Sequence, residues 1–220
     1  MERWATFDCY GTLVDWNGGI HRELEKLFGV GLADGLLVRY HELEPRIQAE
    51  NPSASYREVL TLALEALADE TGLTLPEGDT SALARSLPEW PVFDDVHAGL
   101  GEASERGWKL AILSNSDRDL VNASIQELGV PFELAVVAGE IGSYKPAHKH
   151  WEVFYEITGA DRRGHVHVAQ SLFHDIAPAQ ELGLPSVWIN RQGEPEDPRP
   201  TVTLSGVSDL ADALDEIVSK

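Results

Sequence analysis

The sequence predicts an α/β protein, a doubly wound, Rossmann-like parallel sheet with a helical cap domain inserted into it. Three observations carry this reading. Short, largely apolar runs recur at residues 4–7, 110–113, 134–138, 166–169 and 187–189. Such runs suit strands covered on both faces, because a strand with one wet face alternates apolar and polar residues. Helical stretches separate the later runs, and strand–helix alternation builds a parallel sheet. Between the first run and the second, residues 17–92 instead read as consecutive helices.

The first run stops at Asp8, and Gly11, Gly18 and Gly19 are expected to break any continuation. Helices then read at 20–28, 36–50 and 56–70, the last strongly amphipathic and closed by Gly72. Its stripe of Leu62, Ala63, Ala66 and Leu67 is expected to face a core. Pro88, Glu89, Trp90 and Pro91 return the chain to strand–helix alternation. A helix over 96–106 ends at Gly107 and one over 117–128 at Gly129, where a helix C-terminus favours glycine. Pro146 is expected to open another helix that runs to Thr158 and stops at Gly159. The domains therefore read as a core of 1–16 with 93–220 and a cap of 17–92. Ligands of open parallel sheets bind at the carboxyl ends of the strands. A helical insertion right after the first strand is expected to act there as a lid.

Composition narrows the partners. Of 220 residues, 17 are Lys or Arg and 37 are Asp or Glu, for a net charge of −20. That field repels phosphate backbones and anionic lipid, so neither nucleic acid nor a membrane surface is an expected partner. An anionic small molecule would need locally concentrated positive charge. The single cysteine, Cys9, rules out a disulfide framework and a multi-cysteine metal site, and reads as buried at the strand end. The first residues lack signal-peptide features, and no apolar stretch approaches the roughly 20 residues that span a bilayer, so the chain reads as cytoplasmic. His148 and His150 do not share a helix face, which argues against a metal site. His165 and His167 share a strand face, where packing at a sheet edge is expected over a metal pair.

The polar residues that remain fall at strand ends. They are Asp8, Tyr10, Gly11 and Thr12; then Ser114 and Asn115; then Lys145 and Pro146; then Gln170, Ser171, His174 and Asp175. These four segments, in this order, resemble the four motifs of the haloacid dehalogenase superfamily, and the resemblance covers the whole chain, insertion included. It implies that Asp8 is a nucleophile working through a covalent ester. Such a carboxylate must stay ionised, which a cation at Lys145 and hydroxyls at Thr12 and Ser114 would favour. Asp175 is expected beside Lys145, orienting water, with His174 as the alternative base.

Phosphatases of the superfamily carry a second Asp two residues after the nucleophile, to protonate the leaving alkoxide and help bind magnesium. Here that residue is Tyr10, a poor acid at neutral pH with a reference pKa of about 10. Halide leaves without a proton. The phosphatases' Gly-Asp-Ser is Ala169-Gln170-Ser171 here, and an amide is a weaker magnesium ligand than a carboxylate. Both departures point to the L-2-haloacid dehalogenases, which carry a cap arginine at the place of Arg39. Arg39, with Asn115, is expected to receive halide or the substrate carboxylate, with Arg46 as back-up. Tyr10, Tyr40, Leu43 and His174 are the expected substrate-binding residues. Where those dehalogenases have Ser, Asn, an aromatic residue and Tyr, this chain has Gln170, Leu172, His174 and Trp151.

The resemblance thus implies metal-independent hydrolysis of short 2-haloalkanoic acids to 2-hydroxy acids. It implies no metal and no cofactor, a small carboxylate as substrate, and a homodimer, as is common among those dehalogenases. A magnesium-dependent phosphatase and a catalytically idle binding protein of the same fold stay open as alternatives.

Overall fold

Five residues, Arg3–Phe7, form β1, buried from its second residue on because strands pair with it on both sides. The computed structural model describes residues 1–219. Four helices follow β1: α1 (Trp16–Phe28), α2 (Val30–Glu50), α3 (Tyr56–Thr71) and α4 (Ala82–Ser86). The chain then alternates: α5 (Val96–Glu105), β2 (Trp108–Ser114), α6 (Arg118–Leu128), β3 (Leu134–Val137), α7 (Ala138–Ile141), α8 (Lys149–Thr158) and β4 (His165–Ala169). A π-helical turn at Leu172–Ile176 leads into α9 (Ala177–Glu181), β5 (Ser186–Ile189), β6 (Val202–Leu204) and α10 (Leu210–Val218). By contacts the chain divides into two compact units, Met1–Val14 with everything from Val92 onward, and Asp15–Pro91.

In the first unit the six strands are all parallel, in the order β3-β2-β1-β4-β5-β6. The chain moves outward from β1 through β2 to β3, then returns to β4 on the other side of β1. Right-handed crossovers then place the helices of the two halves on opposite faces, which is why the central strands are buried and mostly apolar. The order reverses between β1 and β4, and their carboxyl ends carry Asp8 and Asp175. That reversal is where such sheets hold ligands.

The five expected strands form, each within two residues of its apolar run. β6 and α10 were not anticipated. β6 is an edge strand of three half-buried residues, with no continuous apolar run to betray it. β4 lies inside the sheet and not at its edge, so His165 and His167 are fully buried. Helix α8 opens at Lys149 and not at Pro146. Pro146 follows a cis peptide and lies in a turn, where the Ala147 N–H donates to the Tyr144 carbonyl at 3.1 Å.

In the second unit Gly18 and Gly19 lie inside α1, which begins four residues before the start expected at Ile20. The Asp15 carboxylate caps α1 by accepting from the Gly18 N–H at 2.9 Å. A Cβ on Gly19 would lie 2.3 Å from the Trp90 ring, so the glycine is there for close approach. The buried face of α3 runs through Val59, Leu60, Ala63, Leu64, Leu67 and Ala68, while Leu62 and Ala66 are only half-buried. The stripe was misphased by one residue. Helix α3 has a full capping box, in which Ser55 and Glu58 each bond the other's backbone N–H. No helix among the described residues is long and apolar enough to cross a membrane.

Candidate active site

Asp8 leaves the end of β1 with its N–H bonded to the Val168 carbonyl of β4 at 3.1 Å. Gly11 then turns the chain at φ +91°, a backbone region that side-chain-bearing residues rarely adopt. The turn brings Thr12 back, and its hydroxyl donates to Asp8 Oδ2 at 2.8 Å while accepting from the Gln170 N–H at 2.9 Å. One threonine therefore ties the first motif to the fourth.

Lys145 is the centre of the site. Its ammonium donates to Asp8 Oδ1 at 2.9 Å, Asp175 Oδ1 at 2.7 Å and the Leu113 carbonyl at 2.8 Å. All three N–H groups are engaged, so it holds two carboxylates and has no donor left for a third. Burial alone would drive this ammonium toward neutrality. The charges of Asp175 and Asp8 outweigh burial and hold its pKa above the ordinary lysine value. Burial likewise works to raise the Asp175 pKa, but Lys145 and His167 overcome it and hold this carboxyl well below the usual range. Asp8 and Asp175 are thereby bridged as carboxylates by one cation. Asp175 Oδ2 is buried and has no hydrogen-bond partner among the described residues.

Asn115 positions that cation. Its side-chain amide donates to the Lys145 carbonyl at 3.0 Å and accepts from the Lys145 N–H at 2.6 Å, which leaves one amide hydrogen for a ligand. Ser114 is buried at the end of β2, and its carbonyl accepts from His150 Nε2 at 3.0 Å. Burial, reinforced by the Lys145 charge, pushes the His150 pKa down to about 4. Burial also pushes the thiol of Cys9 up, so the residue beside Asp8 stays a thiol and no rival nucleophile.

Tyr10 turns its hydroxyl to Ser124 of α6 at 3.2 Å, and burial raises its pKa well above the ordinary phenol value. It cannot serve as a proton donor to a leaving group at neutral pH. Gln170 presents an amide where a carboxylate would be the stronger magnesium ligand, and Lys145 bridges Asp8 and Asp175. His174 sits in the π-helical turn, its N–H and its ring Nδ1 both on Ser171 Oγ at 3.0 and 3.1 Å, and burial lowers its pKa. Trp151 is fully buried in a core cluster with Trp4 and Phe154.

The remaining expected residues belong to the second unit. Arg39 donates from Nε to Glu70 at 3.0 Å and pairs also with Glu42, and Arg46 donates to the same Glu70 at 2.7 Å. Tyr40 and Leu43 are fully buried in α2, and the Tyr40 hydroxyl has no partner among the described residues. The ring of Tyr40 lies 5.9 Å from that of Trp16.

Sequence reasoning missed His167, which lies 3.0 Å from Asp175 Oδ1, and Thr6 behind it. The alternating His-Val-His-Val of β4 was the available signal. It also missed Arg191, which pairs with Asp95 at 3.0 Å, stacks on Phe93 and donates to the Thr12 carbonyl at 3.2 Å. Nothing in the local sequence around Arg191 marks it as a support of the nucleophile loop.

A parallel sheet that reverses order between β1 and β4, with a lysine-bridged pair of carboxylates at that point, defines a class of α/β hydrolases. Residues 3–183 match the family described as haloacid dehalogenase-like hydrolase, and the chain belongs to that family. It is 29% identical over 191 residues to the (S)-2-haloacid dehalogenase of Pseudomonas sp. (strain YL), covering 85% of this chain and 82% of that one. It is 27% identical over 191 residues to haloacetate dehalogenase H-2 of Moraxella sp. (strain B), covering 85% of each. Its fold is also that of the L-2-haloacid dehalogenase from Xanthobacter autotrophicus, with a TM-score of 0.86 at 18% identity over 97% of this chain and 98% of that one.

Proposed function

We propose that this hydrolase is a metal-independent dehalogenase that converts short 2-haloalkanoic acids to 2-hydroxy acids. The observation that carries the proposal is the Asp8–Lys145–Asp175 bridge at a strand end, with a tyrosine and no carboxyl two residues after the nucleophile. An ionised carboxylate can attack carbon, and halide departs without needing a proton. The relatives from Pseudomonas and Moraxella, named for dehalogenating 2-haloacids and haloacetate, support the same reading.

An Asp8 oxygen attacks C2 and displaces halide, which departs with the bonding electrons and leaves an ester. Water then gives one proton to Asp175 and its hydroxyl to the ester carbonyl carbon of Asp8. The tetrahedral intermediate breaks its bond to the substrate oxygen, and that alkoxide takes the proton from Asp175. The proton left on the Asp8 carboxyl passes to solvent, so each turnover releases one halide and one proton.

Two carboxylates and one ammonium leave the site with excess negative charge, so an acid substrate needs another cation. We assign that role to Arg39, with Asn115 taking the halide through its remaining amide hydrogen. Its pairs with Glu42 and Glu70 are solvent-exposed and screened, so a substrate carboxylate displaces them at little cost. Tyr10, Tyr40, Leu43 and His174 are proposed to shape the substrate pocket, Asp15–Pro91 to serve as the cap, and the protein to be a cytoplasmic homodimer.

Halide release from L- and D-2-chloropropionate in the presence of EDTA tests the reading, alongside p-nitrophenyl phosphate hydrolysis with magnesium. Halide release that vanishes in Asp8→Asn is the expected result. Phosphatase turnover that requires magnesium, with no halide freed, would replace it with the phosphatase reading.

A further inference from the structure

Behind Asp175 lies a chain of four buried or half-buried hydrogen bonds that the two-step reaction above does not use. His167 Nε2 is 3.0 Å from Asp175 Oδ1, and His167 Nδ1 is 2.8 Å from Thr6 Oγ1. Thr6 Oγ1 is 2.7 Å from His165 Nε2, and His165 Nδ1 is 2.6 Å from the Tyr155 hydroxyl. Thr6 pairs with His167 in the β1–β4 register, so the sheet itself brings these groups together.

With neutral imidazoles the chain has one consistent set of hydrogens. A carboxylate only accepts, so His167 carries its hydrogen on Nε2 and its Nδ1 accepts from the Thr6 hydroxyl. The Thr6 oxygen in turn accepts from His165 Nε2–H, and His165 Nδ1 accepts from Tyr155. Burial pushes the His165 pKa down to about 3. Trp151 packs its edge on the His167 ring at 5.1 Å, which fixes the ring from its other side.

Two donors, Lys145 and His167, therefore converge on Asp175 Oδ1 and turn the unpartnered Oδ2 into the oxygen free to meet water. The chain resembles dehalogenases whose Ser and Asn at this motif are Gln170 and Leu172 here. We propose that His167, locked in its Nε2–H tautomer by Thr6 and His165, is a positioning residue that aims Asp175 for ester hydrolysis in place of those side chains. The proposal rests on the dehalogenase reading and adds to it a residue specific to the second step. His167 touches neither halide nor C2, so the first step does not depend on it.

Quench-flow with L-2-chloropropionate separates the steps. Halide formation reads attack by Asp8, and intact mass of the acid-quenched protein reads growth and decay of the ester. His167→Phe is expected to slow ester decay by about tenfold or more, the range over which supporting partners of catalytic groups act. The halide burst should stay within about twofold of wild type. Should that variant fail to fold, Thr6→Val keeps the shape while cutting the chain, and Thr6→Ser restores the hydroxyl. Slow ester decay in Thr6→Val with normal decay in Thr6→Ser supports the proposal. Equal slowing of both steps, or wild-type ester decay in Thr6→Val and His167→Phe alike, overturns it. Absence of halide and ester in the wild type overturns instead the dehalogenase reading beneath it.

Discussion

Lys145 sets the terms at the scale of single residues. Its ammonium has carboxylates on two sides and a carbonyl on the third, in a place almost without solvent. Replacing it with methionine would leave two buried carboxylates unpaired, and breaking such a pair costs about 3–5 kcal/mol. Lys145→Met is accordingly expected to lower the unfolding free energy read from a urea titration by that amount and to abolish turnover. Acid sensitivity has a separate source in His150. Its folded pKa, pushed down to about 4, lies below the ordinary histidine value of about 6.5, so the unfolded chain binds the proton first. The stability is fully present above about pH 6.5 and is lost as pH falls toward 4, by about 3 kcal/mol in total. His150→Gln, which keeps a donor for the Ser114 carbonyl, should flatten the dependence of the urea midpoint on pH across that window. An unchanged slope would show that His150 is not the group responsible.

Elements place these residues through a few positions where no side chain fits. Gly11 holds φ +91° in the loop that returns Thr12 to Asp8. Gly11→Ala should cost about 1–3 kcal/mol in strain and slow halide release, because the Thr12 hydroxyl would no longer meet Oδ2 squarely. Gly19 is different, for its backbone is ordinary helix and the constraint is the Trp90 ring. Overfilling such a contact costs about 1–3 kcal/mol, so Gly19→Ala should lower the unfolding temperature. At this scale the sequence was readable where a pattern repeats and opaque where one residue meets a distant one. The apolar runs marked five of the six strands, since both faces of each are covered. Pro146 misled because proline at a helix start and proline in a turn look alike until the neighbouring backbone bonds are known. Gly18 and Gly19 hid the start of α1 because glycine signals freedom, and here one leaves room for the Asp15 cap and the other for a tryptophan some seventy positions away.

Over the whole molecule the net charge of −20 opposes the approach of the acid that the site is proposed to take. Screening shortens the reach of that field from about 30 Å at 0.01 M salt to about 8 Å at 0.15 M. The kcat/KM for 2-chloropropionate should therefore rise a few-fold over that range, with kcat unchanged. A fall in kcat/KM would mean that local cations govern the approach instead. The reversal of strand order between β1 and β4 is the other property of the whole. It sets side by side two carboxylates that are far apart in the chain.

By itself the sequence determined the class of fold, the order of its strands along the chain and the residue types at the carboxyl ends of four of them. Those follow from local chemistry, because covered strands must be apolar and a nucleophilic carboxylate needs a cation and hydroxyls. Only the tertiary structure decided how the donors are shared. It showed that Lys145 has no hydrogen left for substrate, that Asn115 grips the backbone of Lys145, and that His165 and His167 stand inside the sheet and not at its edge. Hydrogen bonds between strands depend on register and on which face a side chain takes. Neither can be read from one strand alone, so the support behind Asp175 emerged only when β1 and β4 were seen together.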